Sequence, residues 1–334
     1  MLRAIEFLQE LYGPITDRGG NMITTVTPNA AIDKTIICDE VERRGITRSR
    51  EALAVAGGKG INVARAIFKL GGDVTATGFA GGHNGLLIRK MIEAEGIHHE
   101  LLDIEDNSRM CLAIIETNTQ SVTEIYDPAP MVEQEEWDQL KDTVSRLAGK
   151  SQIVTLNGSL PEGLGDDAYY ELIGLMKRSN PECKVILDTS GEALLEGMRA
   201  RPFMMKPNKN EMEVLLGHPL SSSRDEIEGV NEVMGRGIEL VVLSLGSDGV
   251  VFGYRGEIYR VDPLSGVEVQ STVGCGDALV GGIAQKIVES GDIIEAVRYG
   301  VASATSNLTS KTQANVRREQ VEEFFRHVEA KQVC

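Results

Sequence analysis

The chain has 334 residues, 42% apolar and 25% charged, proportions that suit a globular protein long enough to bury a sizeable core. A formal charge of −16 argues against nucleic acid or an anionic membrane as partner, since both need a basic surface. No run has the apolar length of a membrane span and no n-region/h-region pair reads as a secretory signal.

Residues 1–21 read as a short amphipathic helix, with Ile5, Leu8 and Leu11 or Tyr12 on one side, ending in Gly13-Pro14 and a polar linker. Two readings stand for this N-terminal extension: a peripheral helix, or a chain whose translation starts at Met22. Met22–Thr27 is apolar and β-prone and predicts a buried first strand. Beyond it, apolar spacing and terminal glycines predict helices over about 58–70, 84–95, 133–148, 166–178, 208–216, 223–236, 276–289, 292–308 and 318–330. Short β-rich runs lie between them at Gln152–Leu156, Lys184–Leu187, Phe203–Lys206 and Leu240–Ser244. This alternation predicts an α/β fold, a doubly wound, mainly parallel sheet with helices on both faces. Residues 34–56 and 109–127 carry β-type runs with no intervening helix and predict a small separate β layer. There is no tandem repeat and no low-complexity tract. The five cysteines (Cys38, Cys111, Cys183, Cys275, Cys334) lack close pairing, which fits reduced thiols and a cytoplasmic location. His98–His99 is the only adjacent histidine pair, so no structural metal site is expected.

The chemistry-bearing segments are glycine-rich and lie at predicted strand ends or helix starts. In Ser271-Thr272-Val273-Gly274-Cys275-Gly276-Asp277, Gly-x-Gly leads to an Asp that opens an apolar helical run. Free N–H groups at a helix start bind anions, and an Asp there can take a proton from an attacking hydroxyl. Alone, the segment could equally be an Asp-capped helix after a tight turn. Gly57-Gly58-Lys59-Gly60-Ile61-Asn62 repeats the theme with a cation and an amide, and is not a Walker A loop because no Ser or Thr follows the Lys. Lys206-Pro207-Asn208-Lys209-Asn210-Glu211 could be a capping box, or could serve a Mg–nucleotide through water. Asn157-Gly158-Ser159 and Ser244-Leu245-Gly246-Ser247-Asp248-Gly249 end strands, the second also readable as a hairpin turn. Pro28-Asn29-Ala30-Ala31-Ile32-Asp33 places an acid in an apolar setting after the first strand.

Together and in this order the six segments resemble the ribokinase-like PfkB carbohydrate kinase family, from Met22 to about Phe325. Thr27-Pro28-Asn29-Ala30-Ala31-Ile32-Asp33, the Gly-Gly-Lys-Gly form and Asp188-Thr189-Ser190-Gly191-Glu192-Ala193-Leu194 look most like its phosphosugar branch: 1-phosphofructokinases, tagatose-6-phosphate kinases and minor 6-phosphofructokinases. The resemblance implies a kinase domain over 22–330 whose β layer is a lid and often a homodimer contact. It implies ATP and Mg²⁺, and a ketohexose phosphate acceptor: fructose 1-phosphate first, with tagatose 6-phosphate, fructose 6-phosphate or an unphosphorylated sugar as alternatives. Asp277 would be the base and Gly274, Cys275 and Gly276 the anion hole. Asp33, Gly57, Gly58 and Asn62 would hold sugar hydroxyls; Lys59, Arg109 and Ser159 would meet the existing phosphate. Lys206, Asn208, Glu211, Ser244, Gly246, Gly249 and Thr272 would serve the nucleotide, with Asn208 and Glu211 reaching Mg²⁺ through water.

Two positions depart from the family pattern. Cys275 stands where Ala or Ser is usual, and Pro28 precedes Asn29 where Leu-Asn-Pro is more common. A thiol at a helix start is expected to ionise more readily than an ordinary cysteine, the alternative being a packed, inert side chain. A sugar-phosphate sensor would not need the acid at 277, and a dinucleotide oxidoreductase would need glycines at residues 26–33 that are absent.

Overall fold

The computed structural model describes residues 22–334, so the extension expected over 1–21 lies outside the described residues. The chain opens with β1 (Met22–Thr27), β2 (Ala31–Cys38), β3 (Glu51–Gly57), α1 (Lys59–Lys69), β4 (Val74–Phe79) and α2 (Gly82–Ala94). Next come β5 (His98–Leu102), β6 (Arg109–Glu116), β7 (Ser121–Tyr126), α3 (Gln134–Ala148), β8 (Ser151–Asn157) and α4 (Ala168–Ser179). They are followed by β9 (Lys184–Asp188), α5 (Gly191–Arg199), β10 (Met204–Met205), α6 (Lys209–Leu216), α7 (Ser223–Gly235) and β11 (Leu240–Ser244). A 3₁₀ turn at Gly246–Asp248 leads to β12 (Val250–Tyr254) and β13 (Glu257–Val261), then α8 (Cys275–Ser290), α9 (Ile293–Leu308), α10 (Arg318–Phe325) and β14 (Ala330–Gln332).

Ten strands form one sheet in the order β14-β13-β12-β11-β10-β9-β8-β1-β4-β5. Every pairing from β5 across to β11 is parallel, and β12, β13 and β14 add on antiparallel at one edge. Successive side chains of a strand point to opposite faces, and both faces are apolar. Ile23 and Val26 of β1 enter different core clusters, as do Leu240 and Val241 of β11. One cluster packs against α1, α2, α8 and α9, the other against α3 to α7. Burial of both faces is why β11 reads as an unbroken apolar run over Leu240–Leu243, and β1 buries Thr24, Thr25 and Thr27 along with its apolar residues. The two helix-free regions form the expected second sheet, β3-β2-β6-β7, in which Asp33 sits opposite Cys111 and Ala31 opposite Arg109.

Adjacent glycines fix the position of α8. A Cβ on Gly281 would come within 2.8 Å of the Ala66 Cβ in α1, and one on Gly282 within 2.4 Å of the Ser303 Oγ in α9. The helix is therefore pressed between its neighbours, and its N-terminus and that of α1 open on the same cavity.

The helix expected over 318–330 ends at Phe325. Phe324, Phe325 and Val328 keep a helical spacing, but Arg298 of α9 captures the carbonyls of Val328 (2.7 Å) and Phe325 (3.4 Å). Those backbone acceptors are then satisfied without a further helical turn, and the chain extends as β14 along β13. The fold also runs past the expected boundary at 330, since Val333 N–H donates to the Ile258 carbonyl at 2.8 Å. Among the described residues no helix is long and apolar enough to cross a membrane.

Candidate active site

A cavity of about 550 Å³ opens at the carboxyl ends of β1, β8 and β11, where open α/β sheets place their ligands. The small sheet supplies part of its wall through Asp33, Arg109 and Tyr126. Of the expected site residues, Asp33, Gly58, Lys59, Asn62, Arg109, Ser159, Lys206, Asn208, Ser244, Gly274, Gly276 and Asp277 line it. Gly57, Glu211, Gly246, Gly249, Thr272 and Cys275 stand outside that lining.

Gly274 caps α8 at φ +80, and no side chain caps the helix, so its first N–H groups, with only a long 3.4 Å bond from the Cys275 N–H to the Thr272 carbonyl, face the cavity as an anion site. The left-handed backbone demands glycine, as does space: a Cβ there would fall 2.7 Å from the Ala314 backbone nitrogen. Asp277, one turn in, is only 6% exposed, and its Oδ2 accepts from Asn62 Nδ2 at 2.8 Å. Burial pushes its carboxyl above the usual range, with the charge of Lys59 pulling the other way. Cys275 turns its Sγ from the cavity to accept from Asn307 Nδ2 at 3.2 Å. Burial pushes this thiol up, with the Asn307 hydrogen bond pulling the other way, which favours the packed, inert alternative.

Asp188, the last residue of β9, is fully buried. Lys59 Nζ donates to both of its oxygens, at 3.1 and 3.2 Å, and Lys206 Nζ lies 3.3 Å from Oδ1. Burial alone would raise this carboxyl, but the two ammonium groups hold it below its ordinary range, and Asp188 in turn pushes Lys59 up. One buried carboxylate thus fixes two cations at the cavity. Lys206 also faces the start of α8, its Nζ 3.6 Å from where a Gly276 Cβ would sit. Asp188 had no assigned site role from sequence, yet its place at a strand's carboxyl end beside Lys206 was a signal to hand.

On the opposite wall, burial raises the Asp33 carboxyl and the charge of Arg109 lowers it. A Cβ on Gly57 would lie 2.0 Å from Asp33 Oδ2, so only glycine lets β3 pass that carboxylate. Arg109 keeps a buried Nε with no partner, a donor left available to an anionic ligand. Asn29 Nδ2 donates to Ser159 Oγ at 3.2 Å, and Gln313 Oε1 accepts from Asn62 at 3.2 Å. Neither Asn29 nor Gln313 was given a site role from sequence: Asn29 lies in the Pro28–Asp33 segment, where the acid drew the assignment, and Gln313 lies in none of the six segments.

Asn208 and Glu211 form the capping box of α6: Asn208 Oδ1 accepts from the Glu211 N–H at 2.9 Å and Glu211 Oε2 from the Asn208 N–H at 2.8 Å. Gly246 and Gly249 bound the turn between β11 and β12 with φ of +61 and +85, and a Gly249 Cβ would strike the Val261 carbonyl at 2.2 Å. The turn geometry accounts for both glycines. Thr272 is exposed, and its carbonyl accepts from the Cys275 N–H at 3.4 Å. The arrangement as a whole sets a buried carboxylate beside an uncapped helix start and several cations, a combination that can deprotonate a hydroxyl while holding phosphate groups.

Residues 27–318 match the model of the pfkB family of carbohydrate kinases. The chain is 30% identical over 315 residues to a tagatose-6-phosphate kinase of Staphylococcus epidermidis, covering 93% of this chain and 100% of that one. It is 31% identical over 286 residues to a 1-phosphofructokinase of Borreliella burgdorferi, covering 85% and 91%. The tetrameric inhibited form of Escherichia coli phosphofructokinase-2 superposes with a TM-score of 0.84 at 28% identity, over 92% of this chain and 98% of that one. The chain belongs to the pfkB family of carbohydrate kinases and is accordingly a phosphotransferase.

Proposed function

We propose that the chain transfers the γ-phosphoryl group of ATP to a hydroxyl of a ketohexose phosphate, fructose 1-phosphate first, giving fructose 1,6-bisphosphate. The observation that carries this reading is Asp277, buried at the uncapped start of α8 with Lys59, Lys206 and Arg109 lining the same cavity. Likeness to a 1-phosphofructokinase supports fructose 1-phosphate, and likeness to a tagatose-6-phosphate kinase supports tagatose 6-phosphate as the second acceptor.

In this reading Asp277 takes the proton of the acceptor hydroxyl as it attacks in line. The N–H groups of Gly274, Cys275 and Gly276 and the ammonium of Lys206 bear charge on the transferred group. Asp33, Gly57, Gly58 and Asn62 orient the sugar hydroxyls. Lys59, Arg109 and Ser159 receive the phosphate already present, by charge-assisted bonds that a neutral sugar cannot make. Ser244, Gly246, Gly249 and Thr272 border the nucleotide. Asn208 and Glu211 fit a hydrated Mg²⁺ on the ATP phosphates: they are oxygen donors, and the capping box leaves Glu211 Oε1 unused. Bound there, Mg²⁺ supplies neutralisation of phosphate charge.

The small sheet serves as a lid that excludes water and as the face on which a second copy of the chain docks. Its exposed Val122 (59%) and Leu53 (37%), which the register puts on the same face as Asp33, support the second role. A coupled ADP-release assay over phosphorylated and free ketohexoses tests the reading. Turnover is expected with fructose 1-phosphate and little with free sugars; comparable rates on free fructose would overturn the acceptor class.

A further inference from the structure

The geometry points to Arg65 as the residue that positions the catalytic carboxylate: clamped by Glu95, it locks the Asn62 amide so that its N–H faces Asp277. The inference rests on Asp277 being the base. Arg65 lies on α1 one turn after Asn62, only 4% exposed. Its Nε donates to Glu95 Oε2 at 2.5 Å and its Nη2 to Glu95 Oε1 at 2.8 Å, a bidentate fork. Nη2 also donates to the Ala56 carbonyl at 2.6 Å, which ties the fork to the end of β3. The remaining nitrogen, Nη1, donates to Asn62 Oδ1 at 2.7 Å.

Asn62, itself 4% exposed, is thereby engaged at both ends of its amide, its oxygen keeping one lone pair for a sugar hydroxyl. Its oxygen is taken by Arg65, and its nitrogen donates to Asp277 Oδ2 at 2.8 Å and to Gln313 Oε1 at 3.2 Å. Arginine offers only donors and an ionised carboxylate only acceptors, so these two neighbours alone decide which way the amide points. Reversed, it would set oxygen against carboxylate and NH₂ against guanidinium. Arg65 does not touch Asp277; it acts through the amide. The charged groups that face Asp277 directly are Lys59 at the start of α1, Lys206 beyond β10 and Asp188 at the end of β9, with Asp33 of β2 beyond Gln313. Without Arg65 the charges of Lys59, Lys206 and Asp188 stay in place, Asp33 loses the pull of the guanidinium on its carboxyl, and the donor held on Asp277 becomes free to turn away. The Asn62→Ala background therefore separates the amide's effect from that of Asp33.

The test is the pH dependence of kcat in Arg65→Met, Glu95→Gln and Asn62→Ala, with Asp277→Asn as reference. Loss of the donor disfavours ionised Asp277, so the acid limb of Arg65→Met moves to higher pH, with kcat on that limb about 10-fold lower or more. Glu95→Gln keeps the size of the clamp and loses its charge, and moves the limb the same way by less. In an Asn62→Ala background, Arg65→Met leaves the limb where Asn62→Ala alone puts it. A purely structural role for Arg65 lowers the melting temperature with the limb unmoved. An unmoved limb in folded Arg65→Met overturns the inference, as does a shift that persists undiminished without Asn62. Should Arg65→Met not fold, Glu95→Gln decides by the same criterion. Near-normal turnover in Asp277→Asn would instead remove the base assignment on which the inference stands.

Discussion

Asp277→Asn removes the proposed base with little disturbance of shape. The amide keeps the volume and can still present an oxygen to Asn62 Nδ2, 2.8 Å from the native carboxylate, but it cannot take a proton. General-base help is worth about 10²–10⁴-fold, or about 2.7–5.4 kcal/mol of barrier at about 1.36 kcal/mol per decade. The surroundings place the loss toward the upper end. Asp277 is 6% exposed, so bulk water does not readily replace it. Lys59 is held protonated by Asp188, and Asp188 is engaged by two ammonium groups, so neither is a ready substitute base. Stability should move the other way. The folded-state pKa of Asp277 is raised by burial, so the fold favours its neutral form more than the unfolded chain does. Its contribution to stability is full below the unfolded-state pKa and is lost as pH rises through the folded value. Asp277→Asn, neutral at every pH, is therefore expected to melt no lower than wild type at neutral pH and to close that difference on acidification. The wild-type activity needs the ionised form, so its acid limb lies above the ordinary aspartate range. Coupled ADP release at saturating ATP, paired with thermal melts across pH, reads both. A folded Asp277→Asn protein that turns over at a near-normal rate would refute the reasoning.

Arg109→Ala is expected to cut kcat/KM for phosphorylated acceptors by about 10–150-fold, the range of a charge-assisted bond of about 1.5–3 kcal/mol; equal losses on free sugars would count against a phosphate at Arg109. Asp188→Asn leaves Lys59 and Lys206 without their buried counter-charge, and of the two pairs it is the buried one with Lys206 whose breaking costs about 3–5 kcal/mol. Because the Asp188 pKa is lowered in the fold, its stabilisation is present above the unfolded value and lost as pH falls through the folded one. The melting gap between wild type and Asp188→Asn should accordingly narrow in acid, and a gap independent of pH would contradict the ion-pair account. Cys275→Ala should be active, and thiol reagents should inactivate it as fast as wild type, since burial pushes the thiol up; slower inactivation of the variant would show Cys275 to be the reactive thiol.

What sequence made legible follows from where each signal resides. β9 and β11 stand out because both sheet faces are buried, so Val185–Leu187 and Leu240–Leu243 are wholly apolar, while β1 and β8 mix buried threonines into shorter apolar runs. β4 escapes that rule: Val74–Phe79 contains Thr75 and Thr77, buried all the same, the latter satisfied by donating to the Glu100 carbonyl at 2.7 Å. A buried threonine with a partner looks polar in one dimension and behaves as core in three. The overlong helix past Phe325 has the same cause, since the Arg298 that stops it is 27 positions away from Phe325 in the chain.

The candidate site divides along the same line. Glycines and acids at helix starts are written locally, because the backbone turn and the chemistry occupy the same few residues, as at Gly274 and Asp277. Contacts that tune the site are not local: Lys59 and Asp188 are separated by 129 positions, Asn62 and Asp277 by 215, Asn62 and Gln313 by 251. Those distant partners also explain how so acidic a chain can hold anionic substrates. Lys34, Lys59, Arg109 and Lys206 line the cavity against Asp33, Glu124 and Asp277, with Asp188 buried behind them. Four positive groups balance four negative ones when all are ionised, so two phosphate-bearing substrates overfill the site with negative charge. In the proposed reaction a divalent cation on the nucleotide would restore the balance, and the uncapped N–H groups of α8 would take up charge on the group in transit without adding a formal charge of their own.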